Sequence, residues 1–247
     1  MKILEIDFGN ILLKDLIEII AAKIANKEKF VVTSPNVHIT NIATSRPCFA
    51  ELINSFSFIH PDGIGIYIAS KLLYGKNGLK ERSTGTDLYF RIFEEFFNKK
   101  FFLIGGVEDC PERIGKNTVL QNEYKPINIA GSIYKLTDPV KNIDVINNSE
   151  ADILMVALGT PYQEEWIILN KDKINVPVII AVGSGLDFLA GVKQRAPLWM
   201  QRIGLEWLYR LFQEPKRLWK RYVFGIPVFV FNIIVLKLKL LFKKEST

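Results

Sequence analysis

The chain has 247 residues, 49% of them hydrophobic, enough for a large packed core and too apolar for a disordered body. Its net charge of +6 is unevenly placed: 12 of the 32 Lys and Arg lie beyond Gly191, against only 3 of the 26 Asp and Glu. Two distant cysteines, Cys48 and Cys110, match no disulfide framework or zinc spacing, and Glu5 and Asp7 break the first apolar run, which points to a reducing cytoplasmic setting without an export signal.

Read in chain order, short β-branched or aromatic runs alternate with helix-period segments. Strands are expected at Lys2–Ile6, Phe30–Thr33, Ser57–His60, Lys100–Ile104, Ile127–Ala130, Asp152–Leu158 and Val178–Val182. Helices are expected at Asn10–Ala25, Val37–Asn54, Ile64–Tyr74, Thr86–Asn98, Pro111–Asn122, Asp138–Asn148 and Gln163–Lys171, with Asn36 and the Thr86-Asp87 pair as N-caps. This alternation predicts an α/β domain over residues 1–191, a Rossmann-like, mostly parallel sheet with helices on both faces.

Ligands of such sheets collect beyond the carboxyl ends of the strands. The loops to inspect are therefore Thr33-Ser34-Pro35-Asn36, His60-Pro61-Asp62-Gly63, Gly105-Gly106, Gly159 to Glu165, and Gly183 to Asp187. Gly105 and Gly106 let backbone N–H groups approach a phosphate or ribose, although the pair equally suits a tight turn. Gln163 and Glu164 open a helix where an amide can read a uracil or sugar edge and a carboxylate can hold hydroxyls; the plain alternative is an acidic first turn with Trp166 as core. Asp62 is by default a turn former or cap, yet a carboxylate at a pocket mouth without a local cation also suits a general base.

Other chemistries lack their residues. With only two histidines, no Cys/His cluster and no Asp-x-Asp pair, no divalent metal is expected. No GxSxG elbow and no GxGxxG after a strand argue against a serine hydrolase and a nicotinamide enzyme.

Residues 192–247 change character. Arg195, Arg202, Arg210, Lys216, Arg217, Lys220 and Arg221 interleave with Trp and Leu, and Tyr222 to Leu236 is an uncharged run of 15 residues. That is short of the ~20 residues of a membrane-spanning helix. The segment reads as a basic, membrane-associating helical appendage on an anionic membrane surface, and the apolar run fits lipid better than nucleic acid.

The stretches HPDGIGI, ERSTGTDL, FFLIGG, ADILMVALGTPYQEEWI and AVGSGLDFLAGVKQRAPLWMQRIGLEWLYRLFQEPKRLWKRY together resemble the WecG/TagA/CpsF glycosyltransferases, family 26 of that class. The resemblance implies an inverting, metal-independent transferase that moves a sugar from a UDP-sugar to a polyprenyl-diphosphate-linked sugar at the cytoplasmic face of the membrane, with no cofactor. Teichoic acid, enterobacterial common antigen and capsular or exopolysaccharide assembly use such enzymes. By resemblance Asp62 is the general base, Arg82 and Gln163 hold the nucleotide sugar, and Arg210, Arg217 and Arg221 close over the site and hold diphosphate. The family's Thr-x-Asn loop falls on Thr33 to Asn36, with Ser34 in the hydroxyl place and Thr33 one residue earlier. N-acetylmannosamine, its uronic acid and glucose all fit as the donor's sugar. Two rivals are a non-catalytic membrane scaffold and a UDP-sugar-modifying enzyme such as an epimerase. The apolar face of the tail would also let subunits pair off the membrane.

Overall fold

The computed structural model describes residues 1–116, 127–136 and 139–245. The expected first strand is instead a small antiparallel hairpin, β1 (Lys2–Ile3) and β2 (Ile6–Asp7), separate from the main sheet. A two-residue turn with Leu4 at φ 53° lets Ile3 pair with Ile6 and bury both side chains. Helix α1 (Leu13–Ala25) leads to β3 (Phe30–Thr33), whose four residues are all buried.

The single helix expected over Val37–Asn54 is two, α2 (Val37–Ser45) and α3 (Pro47–Asn54). Arg46 is extended at φ −135°, ψ 94° because the ring of Pro47 disfavours helical backbone in the residue before it. Asn36 caps α2 as expected. Then come β4 (Phe58–Ile59), α4 (Gly63–Tyr74) and α5 (Gly85–Glu95). The cap of α5 is Thr84 rather than the Thr86-Asp87 pair: its hydroxyl accepts the Asp87 N–H while Asp87 reaches back to the Thr84 N–H, a reciprocal capping box.

The remaining elements are β5 (Lys100–Gly105), α6 (Cys110–Lys116), β6 (Asn128–Ile133), α7 (Pro139–Asn148), β7 (Ile153–Ala157), α8 (Tyr162–Asn170) and β8 (Val178–Ala181). Of the expected helices, Asn117–Asn122 and Asp138 lie outside the described residues. After β8 follow α9 (Gly185–Leu189), α10 (Leu198–Ile203), α11 (Glu206–Gln213), α12 (Pro215–Val223) and α13 (Gly225–Glu245).

The six main strands run parallel in the order β4-β3-β8-β7-β5-β6. Alternate side chains divide between two cores, as the period of a strand requires. Val31, Ile179, Leu154 and Phe102 face a core shared with α2, α3, α4 and α8; Val32, Ile180, Met155 and Leu103 face one shared with α1, α5, α6 and α9. Helix α13 joins the first core through Phe229 and Ile233, so the C-terminal helices return to the body. Every loop with candidate chemistry therefore opens at one edge of the sheet.

Candidate active site

Asp62 stands at the N-cap of α4, yet its carboxylate bonds to no N–H of that helix. Its Oδ1 accepts the backbone N–H of Gly85, the first residue of α5, at 2.8 Å, and its Oδ2 accepts Asn36 Nδ2 at 3.4 Å. Asn36 has no freedom to turn its amide, because its Oδ1 accepts the N–H groups of His38 and Ile39 at the start of α2. The loop itself is fixed by Asp62 N–H to Pro35 O and Gly63 N–H to Ser83 O. Burial raises the Asp62 pKa above the ordinary carboxylate value, against the opposing pull of the Gly85 N–H and the charge of Arg210. The carboxylate is thus oriented by two neighbouring elements and has gained proton affinity.

His60, two residues earlier, is structural. It is buried against Ser83 Oγ at 2.8 Å, and burial pulls its pKa down to about 4, so it is neutral.

Asp62 borders two cavities. The smaller, about 110 Å³, is polar and is lined by Ser34, Tyr89, Gln163, Gly183, Ser184 and the guanidinium-bearing side chains of Arg210, Arg217 and Arg221. Ser34 lines it and Thr33 does not, and both buried hydroxyls lack a hydrogen-bond partner. Gln163 is held at both ends: its Oε1 accepts the Gly183 N–H at 3.0 Å and its Nε2 donates to Glu164 Oε1 at 2.8 Å. Glu164 does not line the cavity but lies fully buried behind Gln163, with Thr160 Oγ1 at 3.1 Å; burial lifts its pKa to about 7.

The C-terminal helices supply the cations. Arg210 donates to Ser184 Oγ at 2.7 Å and lies over the Phe188 ring at 5.3 Å, leaving its buried Nε unpartnered. Arg217 forms a two-pronged pair with Glu214 at 2.6 and 2.8 Å. The pKa of Arg221 is lowered, first by burial and then by the charges of Arg217 and Arg210. Guanidiniums that crowd this closely, with Glu214 shared between Arg217 and Lys193, form a ready seat for a polyanion.

Other expected residues carry contacts within the fold. Arg82 lines the larger cavity beside Asp62 and donates to the carbonyls of Gln201 and Arg202 at 2.9 and 2.8 Å, which ties the body to the end of α10. Asp187 pairs with Lys193 at 2.7 Å and lines neither cavity. Gly105 and Gly106 also line neither; a Cβ on Gly105 would stand 2.2 Å from the Ala157 carbonyl, so the first glycine is there for the close approach of β5 and β7.

Contacts that sequence reasoning did not foresee complete the arrangement. Arg195 bonds Asp87 and reaches Glu206 Oε1 at 3.1 Å, latching the appendage onto the cap of α5, the helix whose first N–H holds Asp62. His38 lines both cavities, and burial together with the Arg221 charge lowers its pKa to about 4. Asp87 and Arg195 stand within the motifs GTDL and VKQRAP, but only the fold reveals that they meet.

The second cavity, about 810 Å³, is a mostly apolar groove that runs from Asp62 between α4 and the helices α10 to α13. A cationic end is thus joined to an apolar trough. The model of the Glycosyl transferase WecG/TagA/CpsF family matches residues 1–243. The chain belongs to this glycosyltransferase family. Relatives in Staphylococcus aureus strains MRSA252, MW2 and NCTC 8325 are each named N-acetylglucosaminyldiphosphoundecaprenol N-acetyl-beta-D-mannosaminyltransferase. They are 32% identical over 249 residues, covering 97% of this chain and 94% of theirs.

As a WecG/TagA/CpsF glycosyltransferase the chain is an enzyme, and its parallel sheet with a C-terminal apolar helix matches the architecture expected from sequence. Among the described residues, no group of three His, Cys, Asp or Glu side chains is placed to hold a metal ion. The helical run Pro215–Phe242, 28 residues, is long and apolar enough to cross a membrane by length and composition. Its α13 portion, however, packs Phe229 and Ile233 into the core, while Val228, Phe231 and Leu238 face outward. The staphylococcal relatives are named for an undecaprenol-linked substrate, and the outward stripe of α13 is consistent with membrane association.

Proposed function

We propose that the enzyme transfers an N-acetylmannosamine-type sugar or a related hexose from a UDP-sugar to N-acetylglucosamine linked to polyprenyl diphosphate, with inversion and without a metal. The single observation that carries this reading is the position of Asp62, a carboxylate oriented by Gly85 and Asn36 at the junction of the polar cavity and the apolar groove. The names of the staphylococcal relatives support the same donor sugar and acceptor.

In this mechanism the acceptor hydroxyl gives its proton to Asp62 as its oxygen attacks the anomeric carbon, and the bond from that carbon to the diphosphate breaks on the opposite face. A pKa raised by burial makes Asp62 a stronger base once ionised. Arg210, Arg217 and Arg221 face the charge that develops on the departing UDP and stabilise it without a metal. Gln163, with its amide locked by Gly183 and Glu164, presents fixed hydrogen-bonding edges to the nucleotide sugar, and Ser34 contributes the hydroxyl beside it.

Residues 192–247 act as an appendage that docks on the anionic cytoplasmic face through α12 and the outward face of α13, bringing the arginines into place where the acceptor resides. The test is UDP release from a panel of UDP-sugars with and without the polyprenyl-diphosphate acceptor. Acceptor-dependent release from one donor supports the transferase. Conversion of the UDP-sugar with no release of UDP favours a UDP-sugar-modifying enzyme, and neither release nor conversion with any donor favours a scaffold.

A further inference from the structure

The apolar groove has walls on two helices. On α4, Ile64, Ile68 and Leu72 recur every fourth residue and form a stripe that starts two residues from Asp62. Ile68 is 49% and Leu72 56% exposed, although both belong to a helix whose other face is core. On α13, Ile226, Val230 and Ile234 repeat the same spacing along the facing wall, with Val230 48% and Ile234 51% exposed.

The walls are pinned at both ends. Asn41 Nδ2 donates to Gly225 O at 2.7 Å, holding the start of α13 to α2, and Lys237 Nζ donates to Leu73 O at 3.3 Å, holding α13 to the end of α4. Phe229 and Ile233 anchor the underside of α13 in the core. The trough is therefore a built feature, with one end at the catalytic carboxylate beside Arg195, Arg210 and Arg221, and the other in the uncharged stretch of α13.

We propose that this groove seats the isoprenoid chain of the acceptor, the first units lying between Ile68 and Ile234, so that the sugar is delivered to Asp62 with its diphosphate among the arginines. The inference rests on the transferase reading given above. Charge complementarity favours this occupant: a bilayer acyl chain would bring its own headgroup to the arginines and block the acceptor, and a second copy of the chain would close the same entrance. From Asp62 to Leu72 the helix rises ~15 Å, room for a few isoprene units and far less than a long polyprenyl chain. The rest of that chain stays in the bilayer.

The test uses the full-length enzyme, UDP-N-acetylmannosamine, and diphosphate-linked N-acetylglucosamine acceptors bearing progressively longer isoprenoid chains, read as kcat/KM. The expected result is a rise of about tenfold for each early unit, from the apolar area removed from water, followed by a plateau once the groove is filled. Ile68→Glu and Ile234→Glu are expected to flatten that rise by about tenfold or more, while the Kd for the UDP-sugar donor, which does not enter the groove, changes less than about twofold and reports intact folding. An unchanged chain-length dependence in both variants would overturn the proposal. Weaker vesicle binding with an unchanged dependence would assign the groove to bilayer lipid and overturn it as well. Failure of every acceptor with the native enzyme would instead remove the transferase reading, and the groove assignment with it.

Discussion

The backbone N–H of Gly85 lies 2.8 Å from Asp62 Oδ1, so the first residue of one helix orients a carboxylate at the cap of another. Asp62 must be ionised to accept a proton, and burial has raised its pKa. Activity is therefore expected to climb with pH along a limb that lies above the ordinary aspartate range. Asn36→Ala removes a hydrogen bond that favours the ionised form, and this limb should move to still higher pH. Because Asn36 also caps α2, the same variant should lose about 1 kcal/mol of stability. The pH dependence of kcat/KM checks the first statement and urea unfolding the second; an unmoved limb would show that Asn36 serves the helix alone.

The Arg195 latch predicts a coupling between the appendage and the site. Arg195→Gln should expose the segment after Gly191 to faster proteolysis and lower kcat, with Arg195→Lys recovering part of both. Asp87→Asn should be the more destabilising, by about 1 kcal/mol, because Asp87 also closes the capping box with Thr84. Limited proteolysis alongside steady-state kinetics measures this. Equal proteolysis rates in native and Arg195→Gln enzyme would mean that the latch holds nothing.

Glu164 predicts a stability change with pH. Its folded pKa of about 7 lies above the ordinary 4.5, so the folded state binds this proton more tightly than the unfolded chain. Its contribution is fully present below about pH 4.5 and is lost as pH rises through 7, a change of up to about 3 kcal/mol. Glu164→Gln keeps an acceptor for the Gln163 amide and cannot ionise, so it should flatten this part of the urea-midpoint profile and be the more stable form near pH 8. Parallel profiles for the two proteins would contradict the assignment.

The outward face of α13 predicts how the enzyme finds lipid. Phe231 is exposed, away from the face that carries Phe229 and Ile233 into the core. Phe231→Glu should weaken sedimentation with anionic vesicles by about tenfold or more while leaving the folded body unchanged. Added salt should weaken binding of the native enzyme too, since each Lys or Arg near an anionic surface contributes about 1 kcal/mol. Binding that is indifferent to both would locate the membrane contact elsewhere.

How far the sequence disclosed all this depended on the range of the interaction. The strands at Phe30, Lys100, Asp152 and Val178 were legible because buried parallel strands read as unbroken apolar runs. Asn36 was legible as a cap because capping is local. The split at Arg46 was readable in principle from Pro47, but helical periodicity on both sides concealed it. The N-terminal hairpin was hidden because its turn needs Leu4 in a left-handed conformation that no turn motif announces. Of the expected residues, Asp62, Asn36, Ser34, Gln163, Arg210, Arg217 and Arg221 line one cavity. Arg82 lines the larger cavity beside Asp62, whereas Asp187, Gly105 and Gly106 line neither cavity and carry contacts within the fold, which composition cannot distinguish from contacts with a ligand. The pairing of Asp87 with Arg195 spans 108 positions, and no local pattern encodes it.

The central claim is that Asp62 takes the proton from the acceptor hydroxyl. Its most direct test is acceptor-dependent UDP release by the native enzyme and by Asp62→Asn, which retains the shape of the side chain and loses the base. The account predicts a fall in kcat of about 10² to 10⁴-fold with donor binding little changed and the acid limb of the pH profile abolished. Turnover within a few-fold of native, with the limb intact, would place the base on another residue and contradict it.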